Sequence, residues 1–433
     1  MKLAEYLTNQ GISASDFAEK VGVAEASMSR YLSGKRLPRA RVMRRIVEAT
    51  GGAVEPNDFF AAGALAAPVT DDGFRAFLAA HPEVRAVDAV VPDMCGMMRG
   101  KRLEVGALAK VFAGAFRLPG STYALDVTGQ NVDATGLGLV DGDPDYACRP
   151  VAGTLVPVPW AERPAAQVLL SMYDDDMSPY PLDPRHVLAR GAGRLEELGL
   201  KPVAALELEF YLVDAAKAAA AEPEPAVAPL GATRPSATQV YGMGDLDAFA
   251  PVIGEIMEAC RVQGIPADVA TAEYAPGQFE INLAHQGEPV RAADHAALLK
   301  RAVKGVAARH GMIATFMSKP FAELAGNGLH VHLSLLDRDG RNVFDDGTRT
   351  GSERLRHAVA GLKATMPAAM AIFAPNANAY RRFQPGSYAP LAPSWGVENR
   401  TVALRVIGAP GKDKRIEHRV AGADANPYLA LAA

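Results

Sequence analysis

Between residues 200 and 420 the chain repeatedly alternates apolar and polar positions with a period of two, the pattern of strands with one buried face. In VAALELEFYLV (203–213), Leu206, Leu208, Phe210 and Leu212 share one face, and Ala205, Glu207, Glu209 and Tyr211 share the other. In GLHVHLSL (328–335), His330, His332 and Ser334 alternate with Leu329, Val331, Leu333 and Leu335. In GQFEINL (277–283), Glu280 and Asn282 alternate with Phe279, Ile281 and Leu283, and Glu273 precedes them across a Pro-Gly turn. In KRIEHRV (414–420), Arg415, Glu417 and Arg419 alternate with Ile416, His418 and Val420. Each run predicts a strand whose second face is charged.

Residues 1–60 have a different rhythm. Phe17, Ala18, Val21, Val23, Met28 and Leu32 carry the spacing of a small helical core, and Gly22 marks the turn between two helices. From Arg30 to Arg45 there are seven basic residues (Arg30, Lys35, Arg36, Arg39, Arg41, Arg44, Arg45) and no acidic one. This stretch resembles the Cro/CI-type helix-turn-helix domains of phage repressors and bacterial regulators. The resemblance implies that a helix from about Ala24 to Ser33 enters a DNA major groove. Glu25, Ser29 and Arg30 would then read bases, while Lys35, Arg36 and Arg39 contact phosphates. A helical packing module with a solvated basic face is the other reading.

Residues 61–70 (AAGALAAPVT) read as a small-residue linker. The Ala/Pro-rich stretch 215–235 reads as a surface loop of no chemical interest. The expected division is therefore a helical domain over 1–60, the linker over 61–70, and mixed α/β structure over 71–178 and 179–433.

Composition narrows the class. The chain has 433 residues, 49% apolar and 22% charged, with a net charge of −4. That is globular, and excludes a whole-molecule polyanion binder. Cys95, Cys148 and Cys260 are too dispersed for a zinc cluster or a disulfide framework. No long apolar run or signal-peptide core is present, so a reducing, cytoplasmic setting is expected.

The charged strand faces pose the chemical question. Glu207, Glu209, Glu273, Glu280 and Glu417, two histidines and several arginines are all presented by otherwise apolar strands. Carboxylates packed together repel, and burying them unpaired is costly. Divalent cations reverse that logic. Oxygen-rich ligation with an occasional imidazole suits Mg²⁺ or Mn²⁺, and two or more ions would account for the glutamate count.

From about residue 70 onward the chain resembles the glutamine synthetase superfamily. The resemblance is carried by LELEFYLVD, ATFMSKP, YRRFQPGSYAP, NRTVALRV and RVAGADANPYLALAA, and is greatest to the γ-glutamylputrescine (γ-glutamylpolyamine) synthetases. It implies an α/β (α+β) fold, with a β-grasp N-terminal domain followed by a catalytic domain built on a curved antiparallel sheet. It also implies stacked-ring homo-oligomers of the dodecamer type, with active sites between subunits. The chemistry would be an ATP-dependent ligation, in which glutamate's γ-carboxylate is phosphorylated and an amine then displaces phosphate. Glu209, Glu273 and Glu280 would form one metal site, and Glu207, His330 and Glu417 the other. His332, Ser334, Arg400, Arg405, Lys412 and Arg415 would hold ATP, with His332, Arg400 and Arg415 acting in catalysis. Gly326, Arg382 and Arg419 would bind glutamate.

Two positions depart from the ammonia-using pattern. Pro119 stands where those members carry the aspartate that helps bind ammonium, and Tyr388 stands where they carry a glutamate latch. Both changes favour an alkylamine such as putrescine or another polyamine, with Tyr388 and Trp395 as pocket residues. Two other functions stay open: an ammonia-using glutamine synthetase, and a DNA-binding regulator with a synthetase-like sensor domain. The chain stops at NPYLALAA, inside what should be a continuing helix, so a further C-terminal segment is expected.

Overall fold

In the computed structural model, residues 3–32, 38, 40–54, 71–174 and 176–433 are described. Contacts divide the chain into two units, Met1–Leu65 with Tyr173–Tyr180, and Ala66–Met172 with Pro181–Ala433.

The first unit contains four helices, α1 (Leu3–Gln10), α2 (Ala14–Lys20), α3 (Glu25–Leu32) and α4 (Ala40–Ala49). Ser13 caps α2 by accepting from the Asp16 N–H. Gly22 takes φ +67 in the α2–α3 turn, which favours glycine there. Phe17, Ala18, Val21 and Met28 are buried as expected, joined by Leu3, Leu7, Tyr31, Ile46 and Val54, while Val23 and Leu32 pack from the edge. On α3, Glu25, Ser29 and Arg30 are exposed. Lys35, Arg36 and Arg39 lie outside the described residues.

The second unit holds two sheets. The first comprises β1 (Ala86–Pro92), β2 (Met98–Glu104), β3 (Arg117–Pro119), β4 (Asp145–Pro150), β5 (Val156–Pro157) and β6 (Ala165–Tyr173). Its order is β2-β1-β6-β4-β3, with β5 also on β6. Pro119 sits at the end of the short strand β3. The second sheet comprises β7 (Lys201–Asp214), β8 (Ala267–Ala272), β9 (Gln278–Leu283), β10 (Met312–Thr315), β11 (Leu329–Leu336), β12 (Trp395–Val397), β13 (Leu404–Ile407) and β14 (Arg415–His418). Its order is β12-β13-β14-β11-β7-β9-β8, with β10 pairing to β7. All its ladders are antiparallel except β12–β13.

The apolar face of β7 anchors the core. Leu206, Leu208, Phe210 and Leu212 are fully buried against Val303 and Val306 from the long helix Pro289–Arg309 and residues of the helix Ala250–Val262. Each such side chain contributes roughly 1.5–3 kcal/mol on removal from water. Arg301 of the same long helix reaches Asp88 of β1 and Gln167 of β6, tying that helix to the first sheet. A second buried polar knot joins Arg185 to Asp294 at 2.7 Å, with the Tyr428 hydroxyl donating to the same carboxylate.

The stretch 215–235 corrects the expectation of a plain surface loop. It opens with a helical turn, Ala215–Ala219, capped by Asp214. It then returns along β7, where Ala226 and Ala228 enter the main core. Alanine-rich composition concealed this; beside the two alanines Pro225 packs so closely on Gly277 that an added Cβ there would come within 2.9 Å of it. No helix among the described residues is long and apolar enough to cross a membrane.

Lys300 sits inside this core. Its Nζ donates to Ala425 O at 3.0 Å and lies 5.7 Å from the Phe316 ring centroid. Burial, with Lys304 nearby, pushes its pKa down to about 7. The folded value lies below the unfolded one of about 10.4, so between the two the unfolded chain holds the extra proton. Stability should therefore rise relative to Lys300→Met as pH increases from 7 towards 10. Denaturant midpoints measured across that range check this, and parallel profiles would refute it.

Candidate active site

Strand register assembles the charged face. Across β13, β14, β11 and β7, Arg405 pairs with Glu417, Glu417 with His332, and His332 with Ala205. One step along, Glu207 lies between His330 on β11 and Asn282 on β9, while Glu209 pairs with Glu280. Side chains in such directly opposed pairs stand on the same face. The sequence therefore places the carboxylates, but the register makes them one cluster.

Glu207 is its centre. Its Oε2 lies 3.2 Å from His330 Nδ1, and its Oε1 lies 2.8 Å from His332 Nε2. Burial opposes its charge, yet the two histidines beside it hold its carboxyl well below the usual range. His330 Nδ1 is also 3.7 Å from Glu417 and 4.0 Å from Glu280. Burial followed by the charges of Glu207, Glu209, Glu273 and Glu417 pushes Glu280 well up. Glu273 is pushed up to about 8 by burial and then Glu209. Among the described residues, Glu207–Glu280–His330 and Glu207–His332–Glu417 each bring three ligand atoms within 4.8 Å of one another. Oxygen-rich clusters in which burial and neighbouring carboxylates push Glu280 up fit divalent cations, which would relieve the crowding.

Glu207 is shared by both clusters, Glu280 joins His330, and His332 faces Glu207. His332 Nδ1 accepts from Arg415 Nε at 3.1 Å. Glu209 accepts from the Gly328 N–H at 2.6 Å.

The arginines divide into engaged and open. Arg405 donates to Glu417 at 3.0 Å and to Glu398 at 2.9 Å, spanning two carboxylates rather than pointing outward. Glu398 takes a left-handed φ of +54 just before Arg400 and also accepts from the Gly408 N–H. Arg419 donates to Glu417. Arg382 is buried and donates to the carbonyls of Val420 and Arg419. Arg400 and Lys412 are exposed, and Ser334 is buried on β11. At Gly326, an added Cβ would lie 2.6 Å from Ser318 O and 2.8 Å from Arg382, so the backbone there passes too close for a side chain.

Tyr388 is 58% exposed and meets Tyr274 edge-on; Trp395 is half-exposed on the edge strand β12. Sequence reading passed over three residues at this site. Gln278, buried on β9, donates to Gly326 O at 3.1 Å and Asn327 Oδ1 at 3.0 Å, and its Nε2 lies 3.5 Å from Glu209. The period-two pattern through Glu280 and Asn282 was the signal for it. His285, just past the end of β9, lies 6.1 Å from His332 between ring centroids, and burial with Arg415 pushes its pKa down to about 4. Tyr274 is the third, and carried no periodic signal.

Comparison with known proteins places this geometry. The model for the glutamine synthetase catalytic domain matches residues 181–433, and a helix-turn-helix model matches residues 3–55. The chain belongs to the glutamine synthetase family. It is 45% identical over 359 residues to the Escherichia coli K12 gamma-glutamylputrescine synthetase PuuA, covering 83% of this chain and 76% of that protein. A Pseudomonas glutamate–isopropylamine ligase is 37% identical, over 79% of this chain and 74% of that one. A glutamine synthetase from Pyrococcus horikoshii is 34% identical, over 81% and 72%. Among solved structures, a GmaS–ADP complex superposes with a TM-score of 0.69 at 27% identity, covering 82% of this chain and 80% of that one.

The carboxylate crowding yields a binding test. Mg²⁺ or Mn²⁺ should raise the melting temperature of the chain. Glu280→Gln should leave the cation-free melting temperature within about 2 °C and remove most of the cation-dependent rise, since the amide mimics the protonated acid. Differential scanning fluorimetry reads both, and an undiminished cation effect would remove Glu280 from the site.

Proposed function

We propose that this chain is an ATP-dependent ligase joining the γ-carboxylate of glutamate to an alkylamine, putrescine or a related polyamine foremost. The observation that carries this reading is the pair of ligand clusters centred on Glu207, in a chain whose latch position holds Tyr388. The relatives named for putrescine and isopropylamine point to the same substrate class.

Glu207, Glu280, His330, His332 and Glu417, with Glu209 and Glu273 beside them, would hold two or more divalent cations, Mg²⁺ or Mn²⁺. Those cations would neutralise the phosphate oxygens of ATP during phosphoryl transfer. Arg400 and Lys412, exposed at the mouth, supply open donors for phosphates, with Ser334 on the neighbouring strand. Arg415 orients His332 through Nδ1 and keeps further donors. Arg405 acts mainly through Glu417 and Glu398. Gly326, Arg382 and Arg419 shape the glutamate end, where the glycine backbone admits a carboxylate that a side chain would block. The γ-carboxylate attacks the terminal phosphorus of ATP, releasing ADP. The amine, as its free base, then attacks the acyl carbon, phosphate leaves with the bond electrons, and the surplus proton on nitrogen passes to the departing phosphate. Tyr388 and Trp395 offer neutral aromatic surface for the amine's methylenes.

Domain limits of 1–60, 71–178 and 179–433, a ring homo-oligomer and a cytoplasmic setting complete this reading. For the N-terminal domain we infer operator binding through α3, supported by the helix-turn-helix match and the exposed Glu25, Ser29 and Arg30. Lys35, Arg36 and Arg39 would contact phosphates. Many copies on one ring would add avidity to weak individual contacts. Arg30→Ala should cost about 1–3 kcal/mol of specific binding in a gel-shift titration, and an unchanged affinity would remove α3 from the DNA interface.

The ligase reading is tested by phosphate release from ATP with Mg²⁺ and glutamate, comparing putrescine, spermidine, ethanolamine and ammonia. Putrescine should exceed ammonia, and Glu207→Ala should abolish turnover. Ammonia matching or exceeding every amine would restore the ordinary glutamine synthetase. No turnover with any of them would favour the sensor reading.

A further inference from the structure

Two exposed aromatic rings meet beside the carboxylate cluster. Tyr274 and Tyr388 lie edge-on, with ring centroids 6.4 Å apart and planes at 64°. They are 48% and 58% exposed. Tyr274 leads the turn between β8 and β9 and directly follows Glu273, whose carboxylate accepts its N–H at 3.2 Å. Glu273 in turn feels the charges of Glu209 and Arg400. Tyr388 lies in the loop after Arg382, where Gly386 at φ +79 makes the turn and the Ser387 hydroxyl bonds Gln384 O. One ring is thus fixed to the carboxylate cluster, and the other to the loop that follows a buried arginine.

An edge-to-face pair leaves π surface open to a ligand while each ring limits the other's swing. Its negative faces attract an ammonium group, and its ring carbons pack against methylenes. Ammonia gains nothing from the second effect. We propose that Tyr274 is a specificity-determining residue that forms, with Tyr388, an aromatic lip for the alkyl chain of a primary alkylammonium substrate. This rests on the amine-ligase reading above. The lip also accounts for the neutral Tyr388 at the latch position: the ring needs a partner, and Tyr274 is placed to be one.

The test compares the 433-residue chain with Tyr274→Ala and Tyr274→Phe in glutamate- and ATP-dependent phosphate release, using ammonia, methylamine and putrescine. Tyr274→Ala should lower kcat/KM for putrescine about tenfold, mainly through KM, with ammonia and the KM of ATP changed by no more than about twofold. Tyr274→Phe should keep most of the putrescine activity, because the ring face remains. Both side chains are solvent-exposed, and melting temperatures verify folding. An equal loss on ammonia and putrescine, or no loss on putrescine, overturns the lip while leaving the ligase reading intact. Absence of amine-dependent turnover in the unmodified chain overturns the ligase reading first, and the lip with it.

Discussion

The site depends on one crowded interaction, the placement of Glu207 between His330 and His332 on a buried sheet face. Two imidazoles hold that carboxylate well below the usual range, while burial and neighbouring carboxylates push Glu273 and Glu280 up. A sheet face cannot spread such charge by relaxing, because every side chain is pinned by its neighbour across the ladder. The tension is therefore built in, and it is directional: cations lower it, whereas removing a histidine would increase it.

Around that centre runs an alternating chain of charge. Glu417 takes Arg419 and Arg405, and Arg405 continues to Glu398. Buried ion pairs of this kind add little net stability, since desolvation offsets their attraction, but they fix geometry strictly. The left-handed backbone at Glu398 is held by the Gly408 N–H and Arg405 together, two residues before Arg400. Gln278 plays the matching part on the other side, joining Glu209 to the loop at Gly326 and Asn327.

The strands and their charged faces were legible from sequence because a period of two is a strong signal over apolar runs. The set of contacts around Glu207 was not. It depends on which residue stands opposite Glu207, and pairing register lies in tertiary structure. Arg382 and Arg405 read as open cations, since sequence cannot show the carbonyls and carboxylates that occupy them. The buried Ala226 and Ala228 were hidden by composition, and Tyr274 by its place in a turn. The helical core was largely visible, with Tyr31 the aromatic that went unremarked.

The carboxylate cluster and the exposed tyrosines beside it differ in what mutation can do to them. The charged floor is written into strand register, so a one-residue slip would turn every ligand away from it. Ala275 beside Tyr274 is buried with Tyr211 and Val213, but the Tyr274 and Tyr388 rings themselves are exposed. Substitutions there cost little stability and leave the floor intact. Exposure at Tyr388 thus leaves that position open to substitution without disturbing the strand register that sets the carboxylates.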